Sequence, residues 1–214
     1  DNKVYFLKHC PAHGPSRAMV SEDAQYYQRA FRYIRPGSKP LHFSTAVKDG
    51  CPTDCGLCPS HQQHTCLPIV EVTDHCNLEC PICIVDNQYS KHMTPKEFAH
   101  VVDVLIRAEG TLETITLSGG EPTAHPDFFE LVDAATRPEI GRVSVVTNGI
   151  RIAKSKAFVE ELKRRNVYVI LQFDGFDDDV QRAIRGVPLM DQKWKALEHL
   201  AAFDVSTQLA FVPA

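Results

Sequence analysis

The sequence predicts an α/β fold with a parallel sheet, and three observations carry that expectation. Short runs that are apolar throughout recur along residues 67–212. Amphipathic stretches of helical spacing separate them, and each run ends in polar or glycine-rich residues. Strands without polar alternation are buried on both faces, as in a parallel sheet covered by helices. Five such strands with right-handed crossovers make either an open doubly wound sheet or part of a (βα) barrel.

The elements follow in order. Residues 67–73 form the first strand signal, and 94–109 a helix. That helix opens on Thr94-Pro95-Lys96-Glu97, a capping box with proline at the first helical position. A strand over 114–117 precedes Gly119-Gly120, and a helix follows over 126–135. The β-branched run 142–147 ends at Asn148-Gly149, and 155–165 reads as a helix with Phe158 and Leu162 inward. A strand over 167–173 comes next, then a helix over 193–203 with Trp194, Leu197, Leu200 and Ala201 on one face. Residues 207–212 are the fifth strand signal. The acidic run Asp177-Asp178-Asp179 reads as a solvated loop and helix start without chemistry.

With 214 residues and 43% hydrophobic content, the chain can bury a real core. The net charge of −4 with signs interspersed leaves no basic footprint for nucleic acid. No apolar run approaches the roughly 18 residues of a membrane span, and no signal-peptide pattern opens the chain. The expected setting is cytoplasmic, with peripheral membrane contact left open. Both ends look cut: the chain starts at Asp1 and stops just after an apolar strand.

Seven of the eight cysteines fall between Cys51 and Cys83, and their close spacings favour metal sites over disulfides. Cys76, Cys80 and Cys83 follow the first strand as C-x3-C-x2-C. Three thiolates on one loop hold three irons of a 4Fe–4S cluster and leave the fourth open to a small molecule. Alone, the same triplet also suits a zinc site. In either parallel architecture ligands sit at the C-terminal ends of the strands. The triplet, Gly119-Gly120-Glu121-Pro122, Thr147-Asn148-Gly149 and Asp174-Gly175 all occupy those ends and are expected to form one site.

The triplet after the first strand and Ser118-Gly119-Gly120-Glu121-Pro122 after the second resemble the radical S-adenosylmethionine (SAM) enzymes. The resemblance covers about residues 67–214 and implies a partial (βα)6 barrel, cut after about five strands. It implies a SAM-binding 4Fe–4S cluster on Cys76, Cys80 and Cys83, with Gly119, Gly120, Glu121 and Pro122 holding the SAM amino group. Ile82, where the family often has an aromatic residue, would face the adenine through its backbone. The chemistry implied is reductive cleavage of SAM to a 5′-deoxyadenosyl radical, which takes hydrogen from an unactivated carbon, with electrons from a low-potential donor protein.

Cys10-Pro11-Ala12-His13-Gly14, the string from Cys51 to Cys66, and Gln172-Phe173-Asp174-Gly175 narrow the resemblance. They are similar to the subgroup of archaeal tetraether lipid synthases and methanopterin-methylating enzymes. The substrate expected is therefore a lipid chain or, alternatively, a pterin-like small molecule. A zinc-stabilised binding module is the remote alternative.

Cys51, Cys55, Cys58 and Cys66 supply four thiolates, enough for a complete second 4Fe–4S cluster, a mononuclear iron or zinc. Residues 1–66 are thus read as a cysteine-rich segment with an auxiliary metal site, and 67–214 as the partial barrel. Cys10 is expected to be a partly buried free thiol. Asn148 reads equally as a left-handed turn residue or a SAM contact. Asp174 is placed near the ribose hydroxyls, with loop capping as its bland role, and Gln172 on the same side of the strand.

Overall fold

A computed structural model describes residues 2–33, 37–54, 56–59, 63–85 and 91–212. Cys55 and the residues around His61 lie outside them. The chain packs as two compact units, residues 1–38 and 39–214. The expected division at 66/67 groups residues by chemistry; by packing, the cysteine-rich stretch from Lys39 belongs with the larger unit.

The small unit was not anticipated as structure. Strand β1 (Val4–Cys10) pairs antiparallel with β2 (Gly14–Ser21), and helix α1 (Ala24–Ala30) follows, capped by the Asp23 carboxylate. At the hairpin tip Gly14 has φ +75°, and Cys10 Sγ lies 3.2 Å from His13 Nδ1. Lys8-His9 interrupts any alternation in β1, and none of α1's residues is buried. Burial is what writes a readable pattern into a sequence, so these elements left none.

The large unit is a five-stranded sheet in the order β3-β4-β5-β6-β7, every pair parallel. Its strands are Ile69–Thr73, Ile115–Gly119, Val143–Thr147, Tyr168–Gln172 and Thr207–Ala210. Sequential order without a reversal is that of a (βα) barrel segment; a doubly wound sheet would switch direction at its ligand crevice. The helices are α2 (Pro95–Glu109), α3 (Phe128–Ala135), α4 (Ile150–Lys154), α5 (Lys156–Arg164), α6 (Asp178–Arg185) and α7 (Met190–Ala202). Thr94 and Glu97 close the expected capping box.

The core lies between the helices and one sheet face, where Val72, Leu117, Val145, Leu171 and Phe173 meet Phe98, Leu131, Ile152, Leu162 and Leu200. One expectation shifts by a residue. Helix α7 buries Lys193, Ala196, His199 and Leu200, while Trp194 is half exposed and lies edge-on to Phe173. A lysine on the buried face disguised the true stripe. Among the described residues no helix is long and apolar enough to cross a membrane.

Candidate functional site

Strand β3 delivers the loop carrying Cys76, Cys80 and Cys83, and backbone bonds anchor its base. Thr73 Oγ1 accepts from the His75 amide (3.0 Å), and Asp74 Oδ1 from the Lys91 amide (2.6 Å). Thr73 O accepts from Gly120 N (2.7 Å), and His75 O from Glu121 N (2.8 Å). The loop is thereby joined to the end of β4.

This join explains the two glycines. Gly119 has φ +120°, and a Cβ on it would collide with the Thr73 carbonyl; one on Gly120 would collide with the His75 carbonyl. Their close approach is to the base of the cysteine loop. Sequence reasoning reserved that approach for a ligand. Glu121 also differs from expectation. It is 2% exposed, and Oε1 accepts from Thr123 N (3.0 Å), Thr123 Oγ1 (2.5 Å) and Thr147 Oγ1 (2.7 Å). Oε2 accepts from Asn148 N at 2.7 Å. With these donors in place the carboxylate ties β4 to β5, and the main chain of Gly119 and Gly120 lines the cavity. Pro122 opens the 3-10 turn Pro122–Ala124 that brings Thr123 back to Glu121.

At the end of β5 the left-handed residue is Gly149 (φ +81°), so Asn148 is free for another task. Its Nδ2 donates to Asn77 Oδ1 inside the cysteine loop (2.7 Å), and its Oδ1 accepts from Ile150 N (3.0 Å). Asn148 still borders the cavity.

At the end of β6 two neighbouring polar residues are placed differently. Gln172 faces the cavity, yet Asp174 two residues on does not line it. Asp174 has φ +60°, which breaks strand alternation, and its carboxylate is taken up by neighbouring donors. Its Oδ2 accepts from Arg185 Nε at 2.7 Å and its Oδ1 from Val212 N at 3.3 Å. The residue reaching the cavity is Arg185, whose Nη1 lies 3.9 Å from Cys80 Sγ. Burial works against the Arg185 charge, but Asp174 and, to a lesser degree, Cys80 together hold the guanidinium above its ordinary value.

Lys193 was likewise missed. It is fully buried, and Nζ donates to Asn148 O (2.8 Å) and Gln172 O (2.6 Å), clamping the ends of β5 and β6. Burial, aided by Arg185, pulls its ammonium down to about 8. No local signal marks such residues; they become legible only once helices α6 and α7 are laid on the sheet.

These strand ends enclose a cavity of about 430 Å³. Cys76, Cys80, Cys83, Ile82, Gly119, Gly120, Glu121, Asn148 and Arg185 all border it. Burial raises the Cys76 thiol, and the nearby charges of Glu121, Cys80 and Cys83 push the same way. Three thiols around one cavity suit a cluster with an open iron. Cys51, Cys58 and Cys66 are not on the cavity wall; among the described residues no three His, Cys, Asp or Glu side chains converge on a single metal ion, Cys76, Cys80 and Cys83 included, whose thiolates would instead be spread over three irons of a cluster. Their segment is held elsewhere: Thr65 N donates to Glu109 Oε1 (2.9 Å), and His64 pairs with the same carboxylate.

Residues 70–212 match the family model of the radical SAM superfamily. The chain belongs to that superfamily, whose members here are SAM-dependent enzymes with a 4Fe–4S cluster. It is 34% identical over 203 residues to the 7,8-dihydro-6-hydroxymethylpterin dimethyltransferase of Methanocaldococcus jannaschii, covering 93% of this chain and 40% of that protein. It is 30% identical over 143 residues to the GTP 3′,8-cyclase of Haemophilus influenzae, covering 64% of this chain and 40% of that protein. Among solved structures, native anSMEcpe with bound AdoMet superposes with a TM-score of 0.54 at 25% identity, over 67% of this chain and 43% of that one, a likeness of fold. The chain thus spans about two fifths of the relatives it matches.

Proposed function

We propose that this chain provides the SAM and substrate site of a radical SAM enzyme acting on a small, reduced, pterin-like heterocycle. The carrying observation is the cavity itself. Beyond the groups assigned below to the cluster and SAM, Glu71, Ser118 and Gln172 line it beside Ile82, Ile84 and Val85, so polar groups border the remaining space. A lipid chain gains about 0.8 kcal/mol per methylene only against apolar walls. It would also desolvate these polar groups without pairing them. The extended similarity to a pterin dimethyltransferase supports the same choice.

Cys76, Cys80 and Cys83 would hold a 4Fe–4S cluster, which when bound supplies the electron that splits SAM and so a radical able to take hydrogen from an unactivated carbon. The main chain at Gly119 and Gly120 is suited to the SAM ammonium, because the Glu121 carboxylate is already satisfied. Arg185 is suited to its carboxylate, with Asp174 orienting the guanidinium. Asp174 therefore acts through Arg185. Ile82 and Asn148 flank the same wall. Cys51, Cys55, Cys58 and Cys66 are assigned to an auxiliary cluster, and a low-potential protein to electron delivery.

The test is anaerobic reconstitution with iron and sulfide, followed by SAM, a reductant and 6-hydroxymethyl-7,8-dihydropterin. Formation of 5′-deoxyadenosine together with a methylated pterin is the expected result. SAM cleavage without any change in the pterin, but with conversion of a lipid substrate, overturns the assignment.

A further inference from the structure

Glu71 stands in the middle of β3 with its side chain on the cavity face, opposite the buried Val70 and Val72. Sequence reasoning gave it no role. It is exposed, its Cα partner in β4 is Ser118, and Gln172 borders the same cavity. Among the described residues its carboxylate has neither a hydrogen bond nor an ion pair. The other acid bordering the cavity, Glu121, is engaged with β5, and Asp174 beside it with Arg185. Among the described residues that border the cavity, Glu71 is thus the acid whose oxygens remain open towards a ligand.

A carboxylate with two open oxygens is complementary to two parallel N–H donors on one planar edge. We infer that Glu71 reads the 2-amino-4-oxopyrimidine edge of the substrate ring, accepting from the ring N–H and the exocyclic amine. Pterins and guanine share this edge, and the relatives above are named for one or the other. The inference rests on the small-heterocycle reading and makes Glu71 a specificity-determining residue of that site.

The test is equilibrium binding to the reconstituted full chain in the presence of SAM. The probes are 6-hydroxymethyl-7,8-dihydropterin, GTP, and the lumazine counterpart of the pterin, in which oxygen replaces the 2-amino group. The wild type is expected to prefer the pterin over the lumazine by tenfold or more. Glu71→Gln keeps the shape but turns one acceptor into a donor. It should weaken pterin binding by roughly tenfold to a hundredfold, the weight of one bidentate pair, and strengthen lumazine binding, because the glutamine amide can donate to the 2-oxo oxygen while accepting from the ring N–H. Circular dichroism checks that the variant is folded. Should Glu71→Gln retain the wild-type preference, the edge assignment is overturned while the pterin reading stands. GTP binding alone, with the same Glu71 dependence, keeps the edge assignment and removes the pterin. Binding of neither ring overturns both.

Discussion

The spacing C-x3-C-x2-C occurs twice within thirty-three residues, at Cys51-Cys55-Cys58 and at Cys76-Cys80-Cys83, and the two copies have different settings. The second copy leaves the end of β3 and is joined to β4 through Gly120 and Glu121 and to β5 through the Asn77–Asn148 bond. The first is organised locally. Asp54 Oδ2 accepts from the amides of Lys48 (2.6 Å), Asp49 (2.7 Å) and Gly50 (2.9 Å), and Thr45 N donates to Leu57 O. Identical spacing thus gives one loop built into the strand-end cavity and another that holds its own turn. Ligand spacing identifies which thiols could bind metal, and attachment to the sheet decides which of them border the strand-end cavity.

The strongest way to break this comparison is to remove each set of thiols. Cys76, Cys80 and Cys83 changed together to Ala should cost about four irons per chain and reduce 5′-deoxyadenosine formation to background. The matching change at Cys51, Cys55 and Cys58 should lower iron content but leave SAM cleavage measurable. Iron and sulfide analysis beside product assay decides, and equal loss in both variants would show the two sites to be interdependent.

A glycine pair tests attachment. Gly120→Ala forces a Cβ into the His75 carbonyl, whereas Gly50, also beside a cysteine loop, has open space around it at φ +79°. The first should cost several kcal/mol, in the range of severe overpacking, and the second about 1 kcal/mol of backbone strain. Thermal unfolding of both variants measures the gap.

Lys193 comes next. Lys193→Met removes the donors to Asn148 O and Gln172 O, at about 1–3 kcal/mol for the carbonyls left unpaired, offset by the burial cost no longer incurred. The wild type also carries a pH signature. With a folded value near 8, below that of the unfolded chain, Lys193 binds fewer protons when folded, so its contribution to stability rises as pH climbs from about 8 towards the ordinary lysine range. Denaturation midpoints across that window should show the rise in the wild type and lack it in Lys193→Met.

The smallest effect belongs to the first loop. Amides of Lys48, Gly50 and Asp49 hold the Asp54 carboxyl below its ordinary value. The bonds are therefore present above that ordinary range and lost as pH falls through the lowered folded value. Hydrogen exchange at Lys48, Asp49 and Gly50 should quicken in that acid window, while exchange at Gly120 and Glu121 should stay on its baseline.

Sequence and structure divide along the lines of burial. The five strands, the capping box of α2, the cysteine triplet and the Gly-Gly-Glu-Pro turn were legible because each writes a local pattern: an apolar run, a spacing, a turn residue. The hairpin of the small unit was not, because little of it is buried. Helix α7 reads one residue out of register, since Lys193 occupies a place that the pattern reserves for an apolar side chain.

By itself, then, the sequence determined the α/β class, the succession of strands and helices and the three thiols of the cavity, all set by neighbours along the chain. Only the tertiary structure decided that the Glu121 carboxylate bonds across to β5, that Asp174 pairs with Arg185 at the cavity edge, that Lys193 clamps two strands, and that Glu71 borders the cavity. The reason is physical. A buried or cavity-lining charge is defined by its partners, and apart from Thr123 beside Glu121 those partners lie from 11 to 45 residues away in the chain.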